Sequence, residues 1–205
     1  MQFWNKSFVI GIMIFVLLPS CFFDSSSVGS SSQQETGLFP DQIDLAPEFT
    51  LVDQFGKKFN LTDQNGQISL LFFGYTSCPD ICPSVLAKLA RLLEDDRYST
   101  STSVIFVSVD NKRDNTNRIR EYVSRFDKLM IGLTGSEQQI DKVKSDYGAY
   151  SSNYSNSEAN PQSNSLISHS DYIYLIDANG FLVGYYHQDT AIEVIQSDLD
   201  ILRYR

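Results

Sequence analysis

Cys78 and Cys82 stand four positions apart in the stretch Phe72-Phe73-Gly74-Tyr75-Thr76-Ser77-Cys78-Pro79-Asp80-Ile81-Cys82-Pro83. Thiols serve as nucleophiles and as soft metal donors, and both roles need the thiolate. An apolar run precedes the pair and a helix-spaced one follows it, which marks a strand-to-helix junction. Residues i and i+4 share a helix face, so the spacing predicts both sulfurs on one side of the first helical turn, near its positive end. That partial charge, with the unpaired N–H groups of the first turn, lowers at least one thiol pKa and favours either redox chemistry or metal ligation. The plain alternative is a structural disulfide or two buried free thiols, for which a junction between Gly74 and Pro83 is a poor setting. Three residues separate the cysteines, whereas a thioredoxin-type oxidoreductase carries C-x-x-C.

The elements that must position this pair alternate short apolar runs with longer amphipathic segments. Phe49 to Val52 and Lys58 to Leu61 flank the turn-like Asp53-Gln54-Phe55-Gly56 and predict a hairpin. Ile68 to Phe73 is a nearly continuous apolar run ending at Gly74, as a strand covered on both faces requires. Pro83 is expected to open a helix carrying Val85, Leu86, Leu89, Leu92 and Leu93 at helical spacing. Val104 to Val109 reads as the next buried strand, and Asp114 to Phe126 and Ser136 to Tyr147 as helices. Tyr172 to Ile176, the turn Asp177-Ala178-Asn179-Gly180 and Phe181 to Tyr186 predict a second hairpin, and Thr190 to Leu202 a last amphipathic helix. The order β-α-β-α-β-β-α with an extra N-terminal β-hairpin is that of an α/β, thioredoxin-like fold.

The chain has two histidines, His169 and His187. His169 is expected at the start of the strand Asp171 to Ile176, after a Ser- and Asn-rich loop, Ser151 to Ser165. In a thioredoxin-like sheet the loop entering this strand passes close to the loop after the central strand, so His169 can approach both cysteines. Taken alone, a loop histidine is more often solvated or hydrogen-bonded than a ligand. Two thiolates and an imidazole make a soft set of low coordination suited to Cu(I), able to hold Cu(II) if a further ligand completes a tetragonal arrangement. Zinc in a structural site usually takes four protein ligands. His187, near the end of a strand, is read as a non-ligand.

The third cysteine belongs to the N-terminus. Lys6 is followed by the apolar run Phe8 to Leu18, too short for a membrane helix and suited to a signal-peptide core, and then by Leu18-Pro19-Ser20-Cys21. That tetrad resembles a bacterial lipobox, with Pro in its second position as a departure; the alternative is ordinary cleavage or an uncleaved anchor. The division expected is therefore a lipoprotein-type signal peptide over 1–20, a Ser-rich tether over 21–38 with lipidation at Cys21, and a folded domain over 39–205. With 205 residues, 42% hydrophobic and 20% charged, the chain is neither wholly disordered nor a polytopic membrane protein. A net charge of -9 repels phosphate backbones and argues against nucleic-acid binding.

Phe72 to Pro83 resembles in full the F-F-G-[YF]-T-x-C-P-D-x-C-P stretch of the SCO/SenC family of copper-binding proteins, which are associated with cytochrome c oxidase assembly. The resemblance runs from about Ala46 to Leu202 and includes Ser108-Val109-Asp110 with Arg113-Asp114, Gly132 to Gly135, and His169 before Tyr174-Leu175-Ile176-Asp177. Asn111 replaces a Pro that the family often carries, and the Ser/Asn-rich approach to His169 is unusual for it. The resemblance implies a membrane-anchored protein facing the extracytoplasmic space or periplasm. It also implies that Cys78, Cys82 and His169 bind one copper ion, passed to the binuclear copper site of cytochrome c oxidase subunit II. A copper donor and a thiol reductant would be further partners, and Asp80 would modulate charge or cap the helix. The second reading is a thiol-disulfide oxidoreductase in which Cys78 attacks and Cys82 resolves, reducing the cysteines of that oxidase site. Ile167-Ser168-His169-Ser170 puts His where a thioredoxin-like catalyst usually has cis-Pro, which favours metal binding. A peroxidase reading lacks the Pro-x-x-x-Thr-x-x-Cys arrangement.

Overall fold

The computed structural model describes residues 37–38, 43–154 and 166–204. Strand β1 (Asp44–Leu45) is followed by the hairpin β2 (Thr50–Asp53) and β3 (Lys58–Asn60) and by a short 3-10 turn, Leu61–Gln64. Then come β4 (Ile68–Gly74), α1 (Ile81–Leu93), the single turn α2 (Asp96–Ser99), β5 (Thr102–Ser108) and α3 (Thr116–Val123). The remainder is β6 (Ile131–Thr134), α4 (Glu137–Asp146), β7 (Ser151–Tyr154), β8 (Leu166–His169), β9 (Tyr172–Ile176), β10 (Phe181–His187) and α5 (Ile192–Arg203).

Eight strands form one sheet in the order β1-β10-β9-β4-β5-β6-β2-β3. β4, β5 and β6 run parallel, and β9 joins β4 antiparallel with Phe72 opposite Ile173. This is the expected thioredoxin-like α/β arrangement, with the N-terminal hairpin docked on β6 through Val52 opposite Thr134. β4 and β5 are buried along their whole length, which is why both read as largely apolar runs without alternation. α1 buries Val85, Leu86, Leu89, Leu92 and Leu93, the stripe its sequence predicted.

Four local expectations are corrected. α1 opens at Ile81, not Pro83; a proline is tolerated within a first turn because that N–H has no intrahelical partner. β6 adds a strand to the expected elements, four residues being too few to show a clear period. The expected loop from Ser151 begins as a strand, β7, paired with β8 so that Ser151 faces His169. His169 consequently ends β8 and does not open β9.

Two residues from the expected tether, Gly37 and Leu38, are held by the domain. The Gly37 N–H donates to Asp198 Oδ2 of α5 (3.0 Å), and Leu38 bridges Gly184 of β10. Phe39, the expected first residue of the domain, lies outside the described residues, as do Cys21 and the apolar run Phe8 to Leu18. No helix among the described residues is long and apolar enough to cross a membrane.

Candidate metal centre

β4 ends at Gly74 and its chain turns through Tyr75 to Asp80 into α1. Cys78 therefore sits in the connecting loop and only Cys82 on the helix, so the sulfurs do not share a helical turn as expected. They are brought together instead by the loop folding back. The Cys82 N–H donates to Cys78 Sγ (3.4 Å), and the ligand atoms of Cys78, Cys82 and His169 all lie within 4.8 Å of one another. Among the described residues this is the one cluster of three such groups. Both cysteines are free thiols, Cys78 half-buried and Cys82 fully buried.

Gly74 makes room for this packing. A Cβ there would stand 2.7 Å from Cys82 Sγ and 2.8 Å from the Phe106 ring, inside any van der Waals contact. Asp114 anchors the loop from the other side. Its fully buried carboxylate accepts from the N–H (2.8 Å) and hydroxyl (2.6 Å) of Thr76, two residues before Cys78, and from the Ser108 hydroxyl (2.7 Å). The Arg113-Asp114 motif was visible in the sequence, but the contact joins segments 38 residues apart and only folding shows it.

His169 is oriented by its own neighbour. Its Nδ1 lies 2.8 Å from the Ser170 carbonyl oxygen, which can only accept, so the ring proton is on Nδ1. Nε2 then presents its lone pair toward Cys82 Sγ at 3.4 Å. Tyr75 and Phe72 pack edge-on against the imidazole, with ring centroids 5.7 and 6.0 Å away. The Tyr75 hydroxyl also accepts from the Ile167 N–H (3.2 Å), tying the cysteine loop to the strand that carries His169.

The two thiols are electrostatically unequal. A hydrogen bond from the Cys82 thiol, with the N–H groups of Cys82 and Asp80, pulls the Cys78 pKa well below the ordinary thiol range against its burial. Cys82 moves upward, because it donates to Cys78 and because it is buried beside that negative charge. The pair thus holds one charge, on Cys78, and one proton, on Cys82. Asp80 occupies the N-cap position of α1 but makes no side-chain capping bond. His187 stands apart from the cluster, between Asp171 (3.0 Å) and Asp189 (3.3 Å).

Residues 40–202 match the SCO1/SenC family. The chain belongs to that family. A SCO2-like protein of Rickettsia felis is 34% identical over 166 residues, covering 80% of each chain. The structure of Bradyrhizobium japonicum ScoI with copper bound is similar at 31% identity and TM-score 0.69, covering 78% of this chain and 99% of that one. A SCO1/SenC family lipoprotein from Bacillus anthracis is similar at 26% identity and TM-score 0.67, covering 78% and 95%.

Proposed function

We propose that Cys78, Cys82 and His169 bind one copper ion, and that the chain delivers it to the binuclear copper site of cytochrome c oxidase subunit II. The observation that carries this reading is the fixed His169 tautomer, with an unprotonated Nε2 facing two sulfurs inside one 4.8 Å cluster. Two sulfurs and one imidazole suit Cu(I), and Cu(II) where a further ligand joins them. Membership of a family that handles copper for cytochrome c oxidase supports it, as does the copper held by the Bradyrhizobium relative. A carrier must also release its ion, and the half-buried Cys78 leaves one donor open to an incoming ligand.

Export and anchoring through a lipidated Cys21, facing the extracytoplasmic space or periplasm, complete the proposal. The Leu18-Pro19-Ser20-Cys21 sequence and the Bacillus anthracis lipoprotein relative support that part. The division into signal peptide, tether and domain goes with it.

A second reading is favoured by the inequality of the thiols. A half-buried thiolate at Cys78 backed by a buried protonated Cys82 is the arrangement of an attacking and a resolving cysteine. Cys78 would attack a recipient disulfide and expel one thiolate; Cys82, losing its proton, would then attack Cys78 Sγ, releasing the second and leaving a Cys78–Cys82 disulfide.

Anaerobic titration of the reduced chain with Cu(I) tests the copper proposal. One equivalent should bind, and Cys78→Ser, Cys82→Ser and His169→Ala should each weaken binding by at least about tenfold, since each removes a donor from a three-ligand set. His187→Ala should bind as the natural chain does. Unchanged affinity in His169→Ala would remove that residue from the site.

A further inference from the structure

Charge is unevenly spread over this acidic chain. Residues 112–128 hold six basic side chains (Lys112, Arg113, Arg118, Arg120, Arg125, Lys128) against three acidic ones, one of which, Asp114, is fully buried. The whole chain carries -9, so this +3 segment stands out against everything around it. It borders the cysteine loop directly. Arg118 Nε donates to Thr76 Oγ1 and its Nη2 to Ser77 Oγ, both at 2.7 Å, and its Nε lies 3.5 Å from the buried Asp114 carboxylate, while the residue stays exposed. Ser77 is the neighbour of Cys78.

Between that loop and α3 lies an open cleft of about 480 Å³, lined by Thr76, Asn117, Arg118, Glu121, Tyr122 and Arg125 among others. Arg118 on α3 and Arg125 in the turn just after it both line this cleft, whereas Arg120 does not. Arg125 makes no ion pair among the described residues. A free guanidinium beside a concavity that reaches the cysteine loop at Thr76, two residues before Cys78, is electrostatically complementary to carboxylates on an approaching partner.

We infer that the cleft between the Cys78 loop and α3 is the docking surface for an acidic face of the protein that receives the metal, with Arg125 and Arg118 meeting its carboxylates. The inference rests on the delivery reading above and says where that recipient binds. A concave site suits a protruding protein surface, whereas a flat lipid headgroup layer cannot enter it.

The test compares copper transfer from the loaded full chain, in detergent, to two acceptors: the copper-free soluble domain of oxidase subunit II and the uncharged small dithiol dithiothreitol. Arg125→Glu should slow transfer to the protein by about tenfold or more and flatten its salt dependence, because a reversed rim charge acts on encounter. Transfer to dithiothreitol should not change. Arg120→Glu alters the net charge equally but off the cleft, and should stay within about twofold of the natural chain. Equal slowing by both variants would mean that only net charge matters, and overturns the docking site. So does an unimpaired Arg125→Glu, including the case in which that variant loses only its binding to phosphatidylglycerol vesicles. A natural chain that takes up no copper defeats the proposed function itself, and one that holds copper but passes none to the oxidase domain defeats delivery and this docking together.

Discussion

His169 shows how a single backbone contact decides a side chain's chemistry. Without the Ser170 carbonyl the imidazole could carry its proton on either nitrogen; with it, the lone pair faces the sulfurs. The thiols add a second residue-scale consequence. Cys82 has its pKa raised, so it is protonated at neutral pH, and ligation by both sulfurs must expel that proton. Cu(I) affinity should therefore rise with pH, by about tenfold per unit between pH 7.5 and 9 for one proton released. A pH series of competition titrations measures the slope, and a flat profile would mean that Cys82 does not ligate as a thiolate. Gly74 gives a third expectation. A methyl 2.7 Å from Cys82 Sγ has nowhere to go in a packed core, so Gly74→Ala should lower unfolding stability by about 1–3 kcal/mol and weaken copper binding with it. Denaturant melts and titrations of the same preparation would report both. The cysteine pair is legible in sequence from its spacing at a strand-to-helix junction, and His169 only through the family resemblance. The clearance at Gly74 and the carbonyl of Ser170 are not, because they depend on three-dimensional approach and not on residue type.

At the scale of elements, the site hangs on β4, the start of α1 and β8. The first two were legible because long apolar runs and helical spacing leave little ambiguity, even though the helix opens two residues early. β7 and β8 were not. Ser-Ser-Asn-Tyr has little strand propensity, and what orders it is its pairing with β8, a non-local fact. Tyr75 is the bridge between these parts, since its hydroxyl holds the Ile167 N–H and its ring backs His169. Tyr75→Phe keeps the ring and deletes the acceptor. It should cost about 1–3 kcal/mol through the buried amide it leaves unsatisfied, and loosen copper binding by freeing β8. In contrast, Leu86→Ala on the buried face of α1 should cost about 2–5 kcal/mol while still taking up one copper per chain, because it removes packing but no donor. Calorimetry on both variants, set beside their copper stoichiometry, separates support of the site from support of the core.

For the molecule as a whole, the proposed function gives the same two sulfurs the role of metal donors while their spacing also allows a disulfide, and the two states exclude one another. Oxidation to a Cys78–Cys82 disulfide should abolish Cu(I) binding and reduction should restore it, as gel filtration with copper analysis would show. In cells the two functions separate by their rescue. If delivery dominates, loss of the protein should be partly offset by added copper; if thiol reduction dominates, copper alone should fail, because a recipient disulfide cannot ligate it. Oxidase activity restored fully by His169→Ala and not at all by Cys78→Ser would decide for reduction. One further property belongs to the whole chain. Tyr154 and Leu166 face each other at the end of the β7–β8 ladder, and below it the Ser170 N–H donates to the Tyr150 carbonyl (2.9 Å) while the Tyr150 N–H donates to Ser170 Oγ (2.8 Å). His169 is thus held from the base of this hairpin, away from the end where Tyr154 and Leu166 pair. For an engineer, the chain between Tyr154 and Leu166, residues 155–165, is the place to test an insertion. Replacing all of them with Asn-Gly, or doubling their number at a cost of about 0.6 kcal/mol in closure entropy, should leave one copper bound per chain, so a reporter or affinity handle can be spliced there without disturbing the cargo.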